Sequence, residues 1–172
     1  MILSLLNGLV SLFIKCFFYP LRYKEEVYQY SEEFGLEKSL IFAVIKTESS
    51  FNRKALSSKG AKGLMQITDK TGEYISIKLN VEDYDLLDEE DNLRFGCYYI
   101  SYLINSFKSQ RTAIIAYNAG EGRVREWLKK GEYSKDGVEV DNIPYKETSE
   151  YVTKIYKRKE KYEKLYRKLL DK

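Results

Sequence analysis

The sequence predicts a mainly α-helical fold, built as one helical domain with a short β-hairpin or loop region behind an apolar N-terminal leader helix. Apolar residues recur every three to four positions in several segments, which is the period of an amphipathic helix. The 172 residues contain only 2 Pro and 10 Gly, and 44% are hydrophobic, which excludes low-complexity and collagen-like classes. We expect a leader over residues 1–22 and a single domain over residues 23–172.

The domain reads as a series of helices separated by glycine-containing breaks. Gly35 suits the end of the first helix, and Asn118-Ala119-Gly120 interrupts two short helices late in the chain. The segment 57–63 is a glycine-punctuated loop or short hairpin. The segment 93–107 is apolar nearly all round, which predicts a central buried helix. Helices are predicted over residues 23–34, 36–49, 64–79, 93–107, 112–119, 122–129 and 146–170.

The leader is open to two interpretations. Residues 1–21 would just cross a hydrocarbon core as a helix, and no small-residue cleavage site follows, which favours an uncleaved signal anchor. Lys15 and Arg22 lie on its C-terminal side, however, which opposes export of the domain. The alternative is a short amphipathic helix packed on the domain or on a membrane surface. Cys16 in the leader and Cys97 in a helix are expected to be free thiols.

Charge and residue types exclude several chemistries. A net charge of +3 gives no case for nucleic-acid binding, and the absence of His removes Ser-His-Asp, Cys-His and most zinc sites. The acidic run 82–91 lacks the calcium-loop pattern, so neither a metal nor a cofactor is expected. Residues 146–172 carry 10 basic against 5 acidic side chains. This basic tail predicts either a solvated helix face or contact with an anionic surface such as teichoic acid or phospholipid.

One carboxylate falls on a helix face that should be buried. Glu48 follows Ile41 and Ile45 at helical spacing, so it projects from the apolar face. Burial raises the pKa of a carboxyl group, and a position in the last helical turn acts in the same direction. A carboxylic acid still protonated near neutral pH is what a general acid for glycosidic cleavage needs. The alternative is that Glu48 lies at the helix end with its side chain pointing into solvent.

Three sequence blocks follow one another in the domain: Glu48-Ser49-Ser50-Phe51 with Gly63-Leu64-Met65-Gln66-Ile67, Ala116-Tyr117-Asn118-Ala119-Gly120, and Ile143-Pro144-Tyr145 with Glu147 and Thr148. In this order they resemble the transglycosylase SLT family, the lysozyme-like domain of soluble lytic transglycosylases. The similarity runs from about Tyr23 to Val152 and includes Asn92 and Gly96. One position departs from it: Thr68 stands where many relatives carry Pro, which we expect to loosen the start of the third helix.

The resemblance implies an α+β lysozyme-like fold and cleavage of the β-1,4 bond between N-acetylmuramic acid and N-acetylglucosamine in peptidoglycan. Glu48 would act first as acid and then as base, giving a 1,6-anhydromuramoyl product without a second carboxylate. The peptidoglycan glycan strand would be the partner, on the extracytoplasmic side of the cell envelope. Three alternatives stay open: a goose-type lysozyme-like hydrolase, a non-catalytic peptidoglycan-binding module, and a membrane-surface helical protein.

The resemblance also implies which side chains bind substrate. Tyr117 is expected to orient Glu48 or the acetamido group, and Met65 to form an adaptable apolar wall. Gln66 offers an amide to the sugar, while Ser49 either bonds Glu48 or the sugar or ends the helix. Tyr151 is expected to pack in the core rather than to contact sugar. The full set of candidates is Glu48 as catalytic residue, with Ser49, Met65, Gln66, Tyr117, Asn118 and Glu147 binding substrate.

Overall fold

The structure, a computed structural model, describes residues 12–170 and is mainly helical. Within that range β-structure is limited to isolated antiparallel bridges that join Lys62 to Leu56 and to Ile67. One π-helical turn at Ile14–Phe18 precedes the α-helices. These are α1 (Lys24–Glu33), α2 (Lys38–Glu48), α3 (Asp69–Leu79), α4 (Glu89–Phe107), α5 (Gln110–Ala119), α6 (Glu121–Leu128) and α7 (Lys146–Leu170).

The helix at the centre of the domain is α2. All residues from Ser39 to Ile45 are buried, and α2 packs against both α1 and α7. The sequence instead predicted that α4 is buried all round. One face of α4 is buried, but Tyr99 and Tyr102 on its other side remain partly exposed. The prediction counted tyrosines as apolar residues. Their hydroxyl groups, however, suit positions at the edge of a core, where they reach water.

The third helix starts later than the sequence predicted. Residues 64–68 are not helical, because Lys62 and Ile67 exchange backbone hydrogen bonds of 2.9 and 3.0 Å and close a tight turn. Within that turn Gln66 has a φ of +54°. The helix then begins after Thr68, whose hydroxyl accepts a hydrogen bond from the Thr71 N–H at 3.3 Å. Thr68 therefore caps α3 instead of loosening it.

The predicted leader lies partly outside the described residues. Positions 1–11 of the signal-anchor segment are not described, and only its last part is seen as the π-helical turn. Among the helices of residues 12–170, none combines the length and apolar character that crossing a bilayer requires. Cys16 is exposed, Cys97 is buried, and both thiols are free, as the sequence predicted.

Candidate active site

Glu48 is the last residue of α2, the helix that forms the middle of the core. Because Ile41 and Ile45 on the same face are fully buried, the Glu48 side chain is carried inward rather than out to solvent. The helix ends at Ser49, whose N–H donates to the Ile45 carbonyl at 3.0 Å. The periodicity of α2 therefore places one carboxyl group at the end of an otherwise apolar helix.

The carboxyl group of Glu48 is largely withdrawn from water. Burial raises the pKa of Glu48 from its ordinary value of 4.5 to about 7, because a carboxylate loses its hydration in an apolar setting. The Tyr151 hydroxyl opposes this shift in pKa by donating a hydrogen bond to Glu48 Oε1 at 2.5 Å. Near neutral pH Glu48 is therefore protonated in about half of the molecules, whereas an exposed carboxyl group is almost fully ionised.

Tyr151 is a site residue that sequence reasoning missed. It was expected to be a core filler, and its ring is indeed only 8% exposed, but its hydroxyl reaches the carboxyl group of Glu48. Burial and the Glu48 charge raise the pKa of Tyr151 well above its usual range, so it stays a neutral donor. A signal was present: Tyr151 lies one helical turn after Glu147, on the same side of α7.

Tyr117 lies beside the site but differs from its expected role. Its hydroxyl donates to the backbone carbonyl of Met65 at 2.6 Å and not to Glu48. It is still near enough that the Glu48 charge contributes to raising the pKa of Tyr117 well above its usual range, after burial as the main cause. Tyr117 therefore ties α5 to the turn before α3, and Tyr151 takes the position expected for it.

The turn before α3 uses its own polar groups to hold its shape. The Gln66 side-chain amide donates to the carbonyls of Ala55 and Gly63 at 3.2 and 3.0 Å. Its donor is therefore engaged inside the loop rather than offered to a ligand. Met65 was expected to form an adaptable apolar wall for the sugar, but its side chain has no exposed surface. It supports the turn from behind, with its carbonyl bound by Tyr117.

Asn92 of α4 holds this turn in place, a role that the sequence pattern did not reveal. Its side-chain oxygen accepts from the Met65 N–H at 2.7 Å, and its amide donates to Lys62 and Leu86 carbonyls at 2.9 and 2.8 Å. A Cβ on Gly63 would lie 2.3 Å from the Asn92 amide nitrogen, and Gly63 has a φ of +75°. Glycine is thus required where Asn92 approaches the backbone.

The remaining candidates surround this centre without a bond to Glu48. Ser49 ends α2: its hydroxyl donates to the Ile45 carbonyl at 3.2 Å and accepts from the Phe51 N–H at 3.1 Å. Asn118 is partly buried near the end of α5, and Glu147 is exposed in the first turn of α7. Asn118 and Glu147 thus keep side-chain surface in contact with solvent, whereas the Ser49 hydroxyl is engaged in the helix end.

The fold and this geometry define a class of protein. It is a helical domain that buries one carboxyl group of raised pKa beside a phenol and a polar turn. The chain belongs to the transglycosylase SLT domain family, whose model matches residues 26–139.

Named relatives agree with this membership. The chain is 36% identical over 143 residues to the soluble lytic murein transglycosylase of Salmonella typhimurium, covering 80% of this chain and 22% of that protein. It is 38% identical over 117 residues to the membrane-bound lytic murein transglycosylase C of Pectobacterium atrosepticum, covering 60% of this chain and 32% of that one. The chain thus spans a third or less of the length of these relatives.

Solved structures show the same fold. An inactive Glu-to-Gln mutant of the lytic transglycosylase Slt from Pseudomonas aeruginosa superposes with a TM-score of 0.74 at 32% identity, over 85% of this chain and 24% of that one. The 70-kDa soluble lytic transglycosylase in complex with bulgecin A gives a TM-score of 0.75 at 30% identity, over 85% and 25%. The lysozyme-like helical fold expected from the sequence blocks is confirmed.

Proposed function

We propose that this domain is a peptidoglycan lytic transglycosylase in which Glu48 acts first as general acid and then as general base. The observation that best supports this proposal is the raised pKa of Glu48. Burial raises it to about 7, and the Tyr151 hydroxyl donates a hydrogen bond to Glu48 Oε1 at 2.5 Å. A group with a pKa near the working pH both gives and retakes a proton readily. The inactive Glu-to-Gln mutant among the structural neighbours supports a glutamate in this role.

The reaction balances with Glu48 alone. Its carboxyl proton passes to the glycosidic oxygen, the bond from muramoyl C1 to that oxygen breaks, and N-acetylglucosamine leaves with a free 4-hydroxyl group. The substrate's own 2-acetamido oxygen stabilises C1. The Glu48 carboxylate then takes the proton of the muramoyl C6 hydroxyl, whose oxygen attacks C1 and closes the 1,6-anhydro ring. Glu48 ends protonated, as it began, and no water is consumed.

The surroundings of Glu48 favour this route over a two-carboxylate hydrolase. The pKa of Glu48 is set by burial and by Tyr151, with no contribution from a second acidic side chain of residues 12–170. An inverting hydrolase of the goose-lysozyme type needs another carboxylate to position water. We assign Glu147, which is exposed one helical turn before Tyr151, to contact with the N-acetyl group rather than to activation of water. We also assign sugar contacts to Asn118 and to Tyr117.

The proposed substrate sets the place of action. Peptidoglycan lies outside the cytoplasmic membrane, so we propose an extracytoplasmic position in the cell envelope, with residues 1–21 as membrane anchor. The division into a leader of residues 1–22 and a domain of residues 23–172 belongs to the same proposal. The family match over residues 26–139 falls inside that domain.

Mass spectrometry of the fragments released from purified peptidoglycan tests the proposal. The protein should release fragments with anhydromuramoyl ends, and Glu48→Gln should lower the rate about 1,000-fold because it removes the acid. Glu73→Gln is the matched control: it changes an exposed acid of α3 and should leave the rate unchanged. Reducing ends would identify a hydrolase instead. Binding to peptidoglycan without any release would identify a non-catalytic module.

A further inference from the structure

We infer that the π-helical turn and one face of α7 together form a docking surface for an anionic phospholipid bilayer. The surface is distinct from the Glu48 site. Its apolar half belongs to the anchor segment 1–21 proposed above, so the inference rests on that proposal and adds to it a cationic half on α7, the helix to which the leader turn is bonded.

The apolar half is a cluster of large side chains at the leader turn, here called the aromatic patch: Leu12, Phe13, Phe17 and Phe18. Their exposed fractions are 58, 53, 69 and 55%. The rings also touch one another, with centroids 4.8 Å apart for Phe13 and Phe17. Single exposed apolar residues are common on proteins, but a contiguous cluster of this kind marks a surface that binds a partner or a membrane.

The turn that carries the aromatic patch is fastened to α7. The Tyr166 hydroxyl donates to the Tyr19 carbonyl at 2.8 Å, and the Tyr162 hydroxyl donates to the Pro20 carbonyl at 3.3 Å. The rings of Tyr19 and Tyr162 pack edge to face at 5.2 Å. The patch is therefore held in a fixed orientation to the domain.

The cationic half is a row of basic residues along α7, here called the basic stripe: Lys154, Lys157, Arg158 and Lys161. The spacing of three, four and seven residues places them on one side of the helix. Two neighbouring lysines of α7 are paired with carboxylates, Lys159 with Glu163 at 2.7 Å and Lys164 with Glu160 at 2.5 Å. Among residues 12–170, no carboxylate forms an ion pair with the stripe. Its charge is thus available to an anionic partner.

A cavity of about 390 Å³ lies between the basic stripe and Tyr19, the residue that directly follows the aromatic patch in the chain. Tyr19 of the leader lines it together with Lys154, Lys157 and Arg158. Its wall also contains Glu150, whose Oε1 forms an ion pair with Lys146 Nζ at 3.8 Å and not with a residue of the basic stripe. Phosphate headgroups fit the lysines and acyl chains fit the phenylalanines, which is the pairing that holds interfacial proteins on anionic membranes. A wall polyanion has no acyl chains to receive the cluster of exposed phenylalanines, so the aromatic patch favours a bilayer.

Vesicle binding of the full chain tests this surface. The probes are vesicles of phosphatidylcholine alone and vesicles in which about a third of the lipid is phosphatidylglycerol. An apolar anchor upstream of the patch would bind both kinds alike, so the result is the ratio of the two affinities. Replacing Lys154, Lys157 and Lys161 by Gln should reduce binding to the anionic vesicles about 100-fold, or about fivefold per lysine, and high salt should do the same to the wild type.

A matched control removes the same charge elsewhere. Lys59→Gln, Lys70→Gln and Lys135→Gln together change exposed lysines in the loop before α3, on α3 and in the loop before α7. This variant should keep the wild-type ratio of affinities within about twofold. Equal losses in both triple variants would overturn the proposal in favour of net charge alone. So would a stripe variant that keeps its vesicle binding but loses binding to peptidoglycan sacculi, which would make the stripe a wall-polymer site.

A fluorophore on Cys16 provides a second measurement. Cys16 is exposed next to Phe17, whereas Cys97 is buried and burial raises the pKa of its thiol, so labelling is selective. The dye emission should shift to shorter wavelength with anionic vesicles in the wild type and in the control variant, but not in the stripe variant. An identical shift in all three would contradict a docking role for the stripe. The rate of release of soluble glycan fragments should be the same in all three proteins, which separates failure here from failure of the proposed reaction.

Discussion

The two sides of the site are built in different ways. On one side α2 and α7 pack as regular helices, and their apolar faces bring Glu48 and Tyr151 within 2.5 Å of each other. On the other side the loop between α2 and α3 has almost no regular structure. It is shaped by side-chain hydrogen bonds and by residues with positive φ, including Phe51 at +67° and Gln66 at +54°.

The difference shows that burial of apolar faces is enough to position the helices, whereas the loop depends on individual hydrogen bonds. Burial of apolar surface is non-directional, so a helix pair tolerates small changes of side chain if volume is kept. A loop fixed by a few polar groups loses its shape when one of them is removed, because the partners are left buried without a bond. We therefore expect mutation of the polar groups that fix the loop, Asn92 above all, to lower the stability of the fold. Mutations in the helix pair should instead change the protonation of Glu48.

Asn92→Ala should have the largest effect on stability, about 4 kcal/mol, because three buried backbone groups lose their partner. The matched control is Asn105→Ala, an exposed position of the same helix, which should be nearly neutral. Urea unfolding of both variants measures the free energies. If Asn92→Ala costs less than about 1 kcal/mol, the loop is held by packing and the contrast between the two sides fails.

Glu48→Gln should increase stability at alkaline pH. The raised pKa means that the folded protein binds a proton more tightly than the unfolded chain, so the wild type loses stability as pH rises from 4.5 towards about 7. The variant has no such loss, and above that pH it should be more stable by up to about 3 kcal/mol. At pH 4 the two proteins should be equal.

Thermal or urea unfolding across this pH range makes the comparison, with Glu73→Gln as control for the removal of an exposed acid. A constant difference between wild type and Glu48→Gln at all pH values would show that Glu48 is not desolvated in the folded protein.

Gly96→Ala and Gly122→Ala should differ by about 2 kcal/mol, although both lie inside helices. A Cβ at Gly96 would lie 2.3 Å from the Met65 sulfur and 2.8 Å from its Cβ, so Met65 and the turn must shift. No atom lies within 4 Å of the Cβ position at Gly122, so the better helix propensity of Ala should stabilise α6. Equal stabilities would show that the space behind the turn is not tightly packed.

Tyr151→Phe should have the smallest effect, moving the pH dependence of the reaction. The lost hydrogen bond lowered the pKa of Glu48, so its removal should raise that pKa and shift the alkaline decline of kcat/KM to higher pH. At the wild-type optimum the rate should fall about fivefold. Tyr117→Phe breaks the bond to Met65 instead and should leave the position of the alkaline limb unchanged. A shift in both variants would mean that the two phenols act on Glu48 together.

The sequence predicted the helix side of the site better than the loop side. Apolar periodicity predicted the seven helices. It also predicted the inward position of Glu48, which follows the buried Ile41 and Ile45 at helical spacing. The start of α3 was wrong by about one turn, because the bridge from Lys62 to Ile67 depends on contacts that no local pattern encodes. For the same reason Tyr117, and not Tyr151, was expected to orient Glu48 or the acetamido group. The phenol that bonds Glu48 is Tyr151, which lies 103 residues away in the chain, and no local pattern encodes such a contact. Asn92 matched the expected family helix, but its three partners come from two separate loops.

The two glycines behind the turn also limit how this chain can evolve. A side chain at Gly63 would collide with Asn92, and one at Gly96 would collide with Met65. Gly63 does not tolerate any side chain, because the Leu86 carbonyl oxygen also lies 2.4 Å from its Cβ position and its φ is +75°. A substitution at Gly96 becomes possible once Met65 is replaced by a smaller residue, so Gly96 and Met65 should change together over evolution while Gly63 stays fixed.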